Sequence, residues 1–411
     1  MTFNLTDNLQ KYADLITHVG VNIQPGQSVI LYASITQKKL ANLITASAYK
    51  LGAAEVLIEW SDSFTTQQFL ENAPMDKLQQ TPQYIQDKWQ SLADQRYSRI
   101  SLVSDDPNAL AKLPAQRVAA FQTAQGAAKR PIMQVTTNND ISWLVVAAAD
   151  TEWAEQVFPN LHGEEAVNCL WEQIFKTTLV DQTDPIKAWQ EKVSDLSQHA
   201  DWLNEQKFDA LKYQAPGTEL TVGLPVGHIW EAAGAKDASG NTFVANIPTE
   251  EVFTAPDNRR IDGYVSSTKP LSYNGTIIEN MHITFKNGRV TDAIAETGSE
   301  VLQHLLDTDS GARSLGEVSL VPDNSPISQS NIVFFNTLFD ENASDHMAFG
   351  EAYPFTIEGG TNWDEEALME HGMNVSQTHV DFMVGSDKMN IDGIKTDGTV
   401  VPIFRNGNWA K

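Results

Sequence analysis

Cysteine is almost absent from this chain: there is one, Cys169, in 411 residues. That excludes an intrachain disulfide framework and a cysteine-built zinc site. Cys169 lies in the apolar, helix-patterned run 166–171, where a buried and inert thiol is expected. Basic residues are also scarce, 28 against 53 acidic ones, for a formal charge of −25. Such a surface repels phosphate backbones and anionic lipid, so nucleic acid and membrane faces are poor partners. No apolar run reaches the ~18 residues of a membrane span. Residues 1–7 carry neither a basic segment nor the start of an apolar one, so a soluble cytoplasmic protein is expected. Glycine-rich phosphate loops are missing as well. No Gly-x-Gly-x-x-Gly and no Gly-x4-Gly-Lys-Ser/Thr follows a predicted strand, and nothing points to a nucleotide.

What is present is length and an ordinary core. An apolar share of 41% with ten tryptophans suits a globular protein, and the length suggests two or three domains of ~150 residues. Residues 1–20 read as a helix, with Leu9, Ala13, Ile16 and Val19 near helical spacing. The run 29–33 reads as a strand covered on both faces, and 55–60 and 99–103 read as further strands, with helices over 38–51, 64–95 and 108–124 between and after them. Further strands are expected at 132–135 and 143–147. Strict alternation predicts an α/β N-terminal domain with a mostly parallel sheet, here residues 1–185, with a structural or substrate-framing role. Residues 151–204 read as mainly helical, with a helix start at Asp184-Pro185. From 186 to 411 the strands shorten and turn chemistry becomes dense. Asn274-Gly275 and Asn287-Gly288 read as hairpin turns, and one helix is expected near 299–307. This second domain reads as mixed α+β.

Its residues 316–381 concentrate metal-binding side chains. His379 and Asp381 sit two apart in a predicted strand, 378–384, so both side chains leave one face about 7 Å apart. They can reach one ion or two adjacent ions; a chance pair on an exposed strand is the plainer alternative. The apolar run 334–339 reads as a strand delivering Asp340 and Glu341 to a loop that leads to His346. A carboxylate with an imidazole suits zinc, cobalt or manganese, although a satisfied core histidine is common. Tyr353 brings a phenol. Glu317 follows Gly316, and glycine there permits close backbone approach or an unusual turn. Upstream, Glu250 and Glu251 point to opposite sides of an extended chain, so only one can join a site. Oxygen-rich sets with few imidazoles suit paired divalent ions that share a bridging carboxylate, activate water and polarise a carbonyl. A phenol beside them can donate to an oxyanion. A single structural ion among unrelated carboxylates remains the alternative.

The segments Asn246-x-Pro-x-x-Glu-Glu-Val-Phe-Thr-Ala-Pro-Asp257, Gly316-Glu-Val318, Asn336-Thr-Leu-Phe-Asp-Glu-Asn-Ala-Ser-x-His346 with Ala348-Phe-Gly-x-Ala-Tyr353, and His379-x-Asp-Phe-Met383 resemble peptidase family M29, the thermophilic-type metallo-aminopeptidases. The likeness runs along essentially the whole chain. It implies an α+β metallopeptidase catalytic domain with two divalent ions per chain, usually zinc or cobalt, with manganese or magnesium as alternatives. The implied metal ligands are Glu251, Glu317, Glu341, His346, His379 and Asp381, with Glu317 as the bridge. Tyr353 is the implied phenol at the metals, and Glu251 or Glu317 the general base. The implied reaction releases N-terminal residues from short peptides through a hydroxide held by both ions. A homodimer enclosing an internal cavity is implied too. A dipeptidase or other amidohydrolase, and an inactive peptide- or metal-binding protein, are the competing readings.

Overall fold

The computed structural model describes residues 4–104, 113–273 and 276–410. The chain forms two compact units, 1–192 with 234–248, and 193–233 with 249–411. It passes from the first to the second within the helix Pro185–Gln206.

The first unit is built on a five-stranded sheet in the order Glu55–Ser61, Ser28–Ser34, Ser98–Val103, Trp143–Ala147 and Asn246–Ile247. Every pair is parallel, as the alternation of apolar runs and helices implies. The expected strand at 132–135 is instead the last part of the helix Ala115–Thr137. Ala124, Ala128 and Ile132 are buried at four-residue intervals, and that helical stripe outweighs the short apolar run. Ile132 packs there with Trp89, Leu92 and Ile30 of the sheet. The last place in the sheet is taken by Asn246–Ile247, far along the chain. The start of the helix expected over 108–124 lies outside the described residues. Cys169 is half-buried in the helix Gly163–Thr177.

The second unit holds two larger antiparallel sheets and a two-stranded one, Leu271–Tyr273 with Thr276–Ile278. The larger has eight strands and contains Ala210–Ala215, Thr218–Gly223, Ile261–Ser266 and Asn390–Ile394 at its centre. His282–Lys286 and Arg289–Ile294 are joined through Asn287 and Gly288, both with positive φ, as a two-residue hairpin requires. The Asn274-Gly275 turn lies outside the described residues. The smaller sheet runs Val252–Thr254, Leu315–Leu320, His346–Gly350, His379–Met383. One face of it is apolar. Val252, Leu315, Val318, Leu320, Met347, Phe349, Val380 and Phe382 join the core cluster that also contains Leu211, Leu220, Ile261 and Ile391 of the larger sheet. The helix Ser299–Leu306 adds Leu302, Leu305 and Leu306.

Phe349 and Phe382 stack with ring centroids 4.4 Å apart at the centre of this apolar face. Phe382→Ala is expected to lower the stability of the unit by about 3–5 kcal/mol, measurable by urea denaturation against the parent protein.

Candidate metal centre

The alternate residues of the four-stranded sheet face away from that core, and they are chemically different. Cross-strand register places Glu317 opposite Ala348 and Ala348 opposite Asp381. The next row is Phe253, Ser319, His346 and Met383. Gly350 lies opposite His379. Directly paired residues share a face, so Glu317, His346, His379 and Asp381 stand on one surface. Glu251 precedes Phe253 by two residues and joins that face; its Oε2 accepts a 2.9 Å hydrogen bond from Ser319 Oγ.

Gly316 makes this arrangement possible. The register slips between Leu315 and Glu317, and this bulge lets Leu315 face the core while Glu317 faces the opposite side. A Cβ on Gly316 would lie 2.1 Å from the Glu351 carbonyl oxygen. Gly350 has φ +99° and would place a Cβ against the Thr378 carbonyl. Backbone thus packs against both glycines too closely for any larger residue.

The polar atoms converge closely. His346 Nε2 is 3.1 Å from Glu251 Oε2 and 3.4 Å from Glu317 Oε1. His379 Nε2 is 3.6 Å from Glu317 Oε2 and 3.5 Å from Asp381 Oδ1. Two triads result, Glu251–Glu317–His346 and Glu317–His379–Asp381, each with ligand atoms within 4.8 Å of one another. Glu317 belongs to both, one oxygen turned to each. Glu341 is in neither triad, yet its carboxyl feels the charges of Asp381, Glu251, His346 and Glu317. It sits on the turn Glu341–Ala343 after a short helix, Thr337–Asp340, where a strand end was expected. Asn336 caps that helix by accepting from Leu338 N, and the Asp340 carboxylate accepts from Phe334 N and Asn336 N. These caps bend the apolar run back on itself. Tyr353 keeps 37% of its surface exposed, and its ring lies 4.8 Å from that of His379. Of the adjacent pair, Glu251 joins a triad; Glu250 is buried and donates through its backbone N to Asn342 Oδ1.

These residues fit a metal. Each imidazole Nδ1 lies against a backbone carbonyl, His346 with Ser344 O at 3.2 Å and His379 with Glu351 O at 2.7 Å. A carbonyl only accepts, so Nδ1 carries the proton and Nε2 turns a lone pair toward carboxylates. Lone pair facing lone pair is repulsive unless a proton or a metal cation lies between. Asp381 Oδ1 is buried without a hydrogen bond. A hydrogen bond from Nδ1 to a carbonyl is also the usual support of a metal-binding histidine. Without a cation, protons must compensate. Burial, then the neighbouring carboxylates, hold the Glu341 carboxyl well above its usual range, and burial raises Glu317. Burial opposes charge on His379, but Asp381 and Glu317 outweigh it and raise the ring to about 10. Burial, then the carboxylates of Glu317, Asp381, Glu341 and Glu251, keeps the Tyr353 phenol protonated well beyond its ordinary range.

Sequence reasoning passed over Ser319, Ala348 and Gly350. Their signal was positional: each lies on the site face of a strand, opposite or two residues from a candidate ligand.

A buried carboxylate–imidazole centre on an α+β unit meets the requirements of a metal-dependent hydrolase. Over residues 5–409 the chain matches the family described as Thermophilic metalloprotease (M29), and it belongs to that family. It is 51% identical to Aminopeptidase PepS of Streptococcus thermophilus, over 99% of both chains. It is 48% identical to Aminopeptidase AmpS of Bacillus subtilis, again over 99% of each. The solved structure of wild-type AmpT from Thermus thermophilus superposes with a TM-score of 0.94 at 39% identity, covering 99% of this chain and all of that one.

In the metal-free protein, His379 holds a proton in the folded state up to about pH 10, against ~6.5 when unfolded. The stabilisation is complete below about pH 6.5 and disappears as pH rises toward 10. Thermal melts of chelator-treated protein are expected to fall in midpoint across that window. Saturating zinc or cobalt, which displaces the proton, flattens the slope.

Proposed function

We propose that the protein is a metallo-aminopeptidase that holds two divalent ions per chain and removes N-terminal residues from short peptides. The observation that carries this reading is the pair of triads sharing Glu317, with one carboxylate oxygen turned to each histidine. Glu251, Glu317 and His346 would hold one ion. Glu317, His379 and Asp381 would hold the other, with Glu341 completing the set. Four carboxylates carry four negative charges, which two divalent ions balance. The absence of cysteine ligands suits zinc or cobalt bound through oxygen and nitrogen, with manganese or magnesium as alternatives. When bound, such ions supply the Lewis acidity that activates water and polarises the scissile carbonyl.

The protein's own groups do the rest. Tyr353, protonated and beside His379, donates to the oxyanion that develops on the carbonyl. Glu251 or Glu317 takes the proton of the attacking water and delivers it to the leaving amine. The backbone carbonyls behind His346 and His379 fix both rings with Nε2 facing the reaction centre. The names of the related aminopeptidases support exopeptidase action at the free N-terminus. We place the activity in the cytoplasm, on a homodimer.

Turnover of leucine- and arginine-p-nitroanilide by chelator-treated protein should rise with added cobalt or zinc to a plateau near two equivalents. N-acetylated substrate should resist cleavage, and equal cleavage would make the protein a different amidohydrolase. Glu317→Gln and His379→Ala should each lower kcat by well over ~100-fold while circular dichroism stays unchanged. Near-normal turnover by fully metallated His379→Ala would overturn the site, and stoichiometric metal without turnover on any peptide would leave a binding protein. Light scattering should give twice the 45.4 kDa chain mass.

A further inference from the structure

The site face does not end at Phe253. Glu231 pairs with Phe253 as an isolated antiparallel bridge, through Glu231 N to Phe253 O at 2.9 Å and Phe253 N to Glu231 O at 3.0 Å. Directly opposed residues share a face, so the Glu231 side chain stands on the same surface as Phe253, Ser319 and His346. An aromatic wall connects it to the metal centre. Tyr353 lies 4.8 Å from His379 and stacks on Phe355 at 5.3 Å; Phe253 meets both edge-on at 6.4 and 6.2 Å. The wall therefore begins at a candidate metal ligand and ends beside a carboxylate.

That carboxylate is unusual in having nothing to do. Glu231 is half-buried, and among the described residues its side chain has no ion pair and no hydrogen bond. Burial alone raises its pKa, with no cation to offset it. A half-buried carboxylate without a partner is costly, and it is attractive to a ligand that brings a positive charge.

We infer that Glu231 binds the cationic side chain of a lysine or arginine at the first position of the substrate, with Phe253, Tyr353 and Phe355 lining the path of its methylenes. The inference rests on the aminopeptidase reading above. Distance selects the side chain over the α-amine. By strand geometry, Cα of Glu231 is about 9 Å from that of Glu251, the nearest centre residue on this face. The α-amine stays within about 3 Å of the scissile carbonyl and remains with the centre's own carboxylates. An extended lysine side chain reaches about 6 Å from its Cα, which with the reach of Glu231 spans the gap. The aliphatic stem suits the aromatic wall, and the ammonium or guanidinium meets the carboxylate.

The test compares lysine and norleucine anilides, which differ by the ammonium group, on metal-loaded wild type and Glu231→Gln. The ratio of kcat/KM for lysine over norleucine should fall on the order of ten- to a hundredfold in the variant, chiefly through KM. Glu231→Asp should recover part of the ratio, and thermal melts establish that both variants fold. Equal loss on both substrates would mean a structural role and overturn the inference. So would an unchanged ratio, or a loss confined to substrates bearing lysine at the second position. Failure of wild type to cleave even the norleucine anilide would defeat the aminopeptidase reading itself. Norleucine turnover with an unshifted ratio defeats only the role of Glu231.

Discussion

The concentration of negative charge on one face of a small sheet governs the second unit. Glu251, Glu317, Glu341 and Asp381 converge, with His346 and His379 to answer them. Carboxylates this close, and this far from water, ionise together only if cations share the space. The surrounding structure supports that demand. The opposite face of the same strands is anchored in the apolar core by Val318, Met347, Phe349, Val380 and Phe382, and this holds the ligands against their mutual repulsion. Carbonyl partners fix the imidazoles, and Ser319 supplies a hydrogen bond to Glu251. Glu317, His346, His379 and Asp381 are held in place by the strands that carry them, not by mutual attraction.

Alternation explains how one short sheet serves both purposes. In His346-Met-Ala-Phe-Gly350 and His379-Val-Asp-Phe-Met383, odd and even positions are sorted into a site face and a core face. The Leu315–Leu320 strand lacks the right phase until the bulge at Gly316 corrects it. One glycine thereby decides whether the carboxylate common to both triads points to the site face or into the core.

These features were legible in the sequence to different degrees. The His379 and Asp381 pair could be read directly, because a two-residue spacing on a strand has one geometric meaning. The strands around Ile30, Ile58, Ile100 and Val145 were clear as apolar runs between helices, although Glu55–Ser61 is an edge strand with no fully buried residue. Ile132 misled because a four-residue apolar run fits a strand and a buried helix equally well. The phase of Glu317 depends on which backbone atoms crowd Gly316, which no local pattern encodes. Phe334 and Phe339 suggested a strand, but the Asp340 carboxylate closes a loop over them. Glu231 carried no signal, since its importance comes from the strand beside it, not from its neighbours in sequence.

The pairing of Asn246–Ile247 with Val145 and Val146 has a bearing on how the chain reaches its fold. Residues 234–248 belong to the first unit, although more than forty residues of the second precede them. During synthesis the parallel sheet waits with one edge open until that segment leaves the ribosome. By then the first strands of the second unit have emerged as well. The two units thus mature together, and no single cut of the chain yields either one whole.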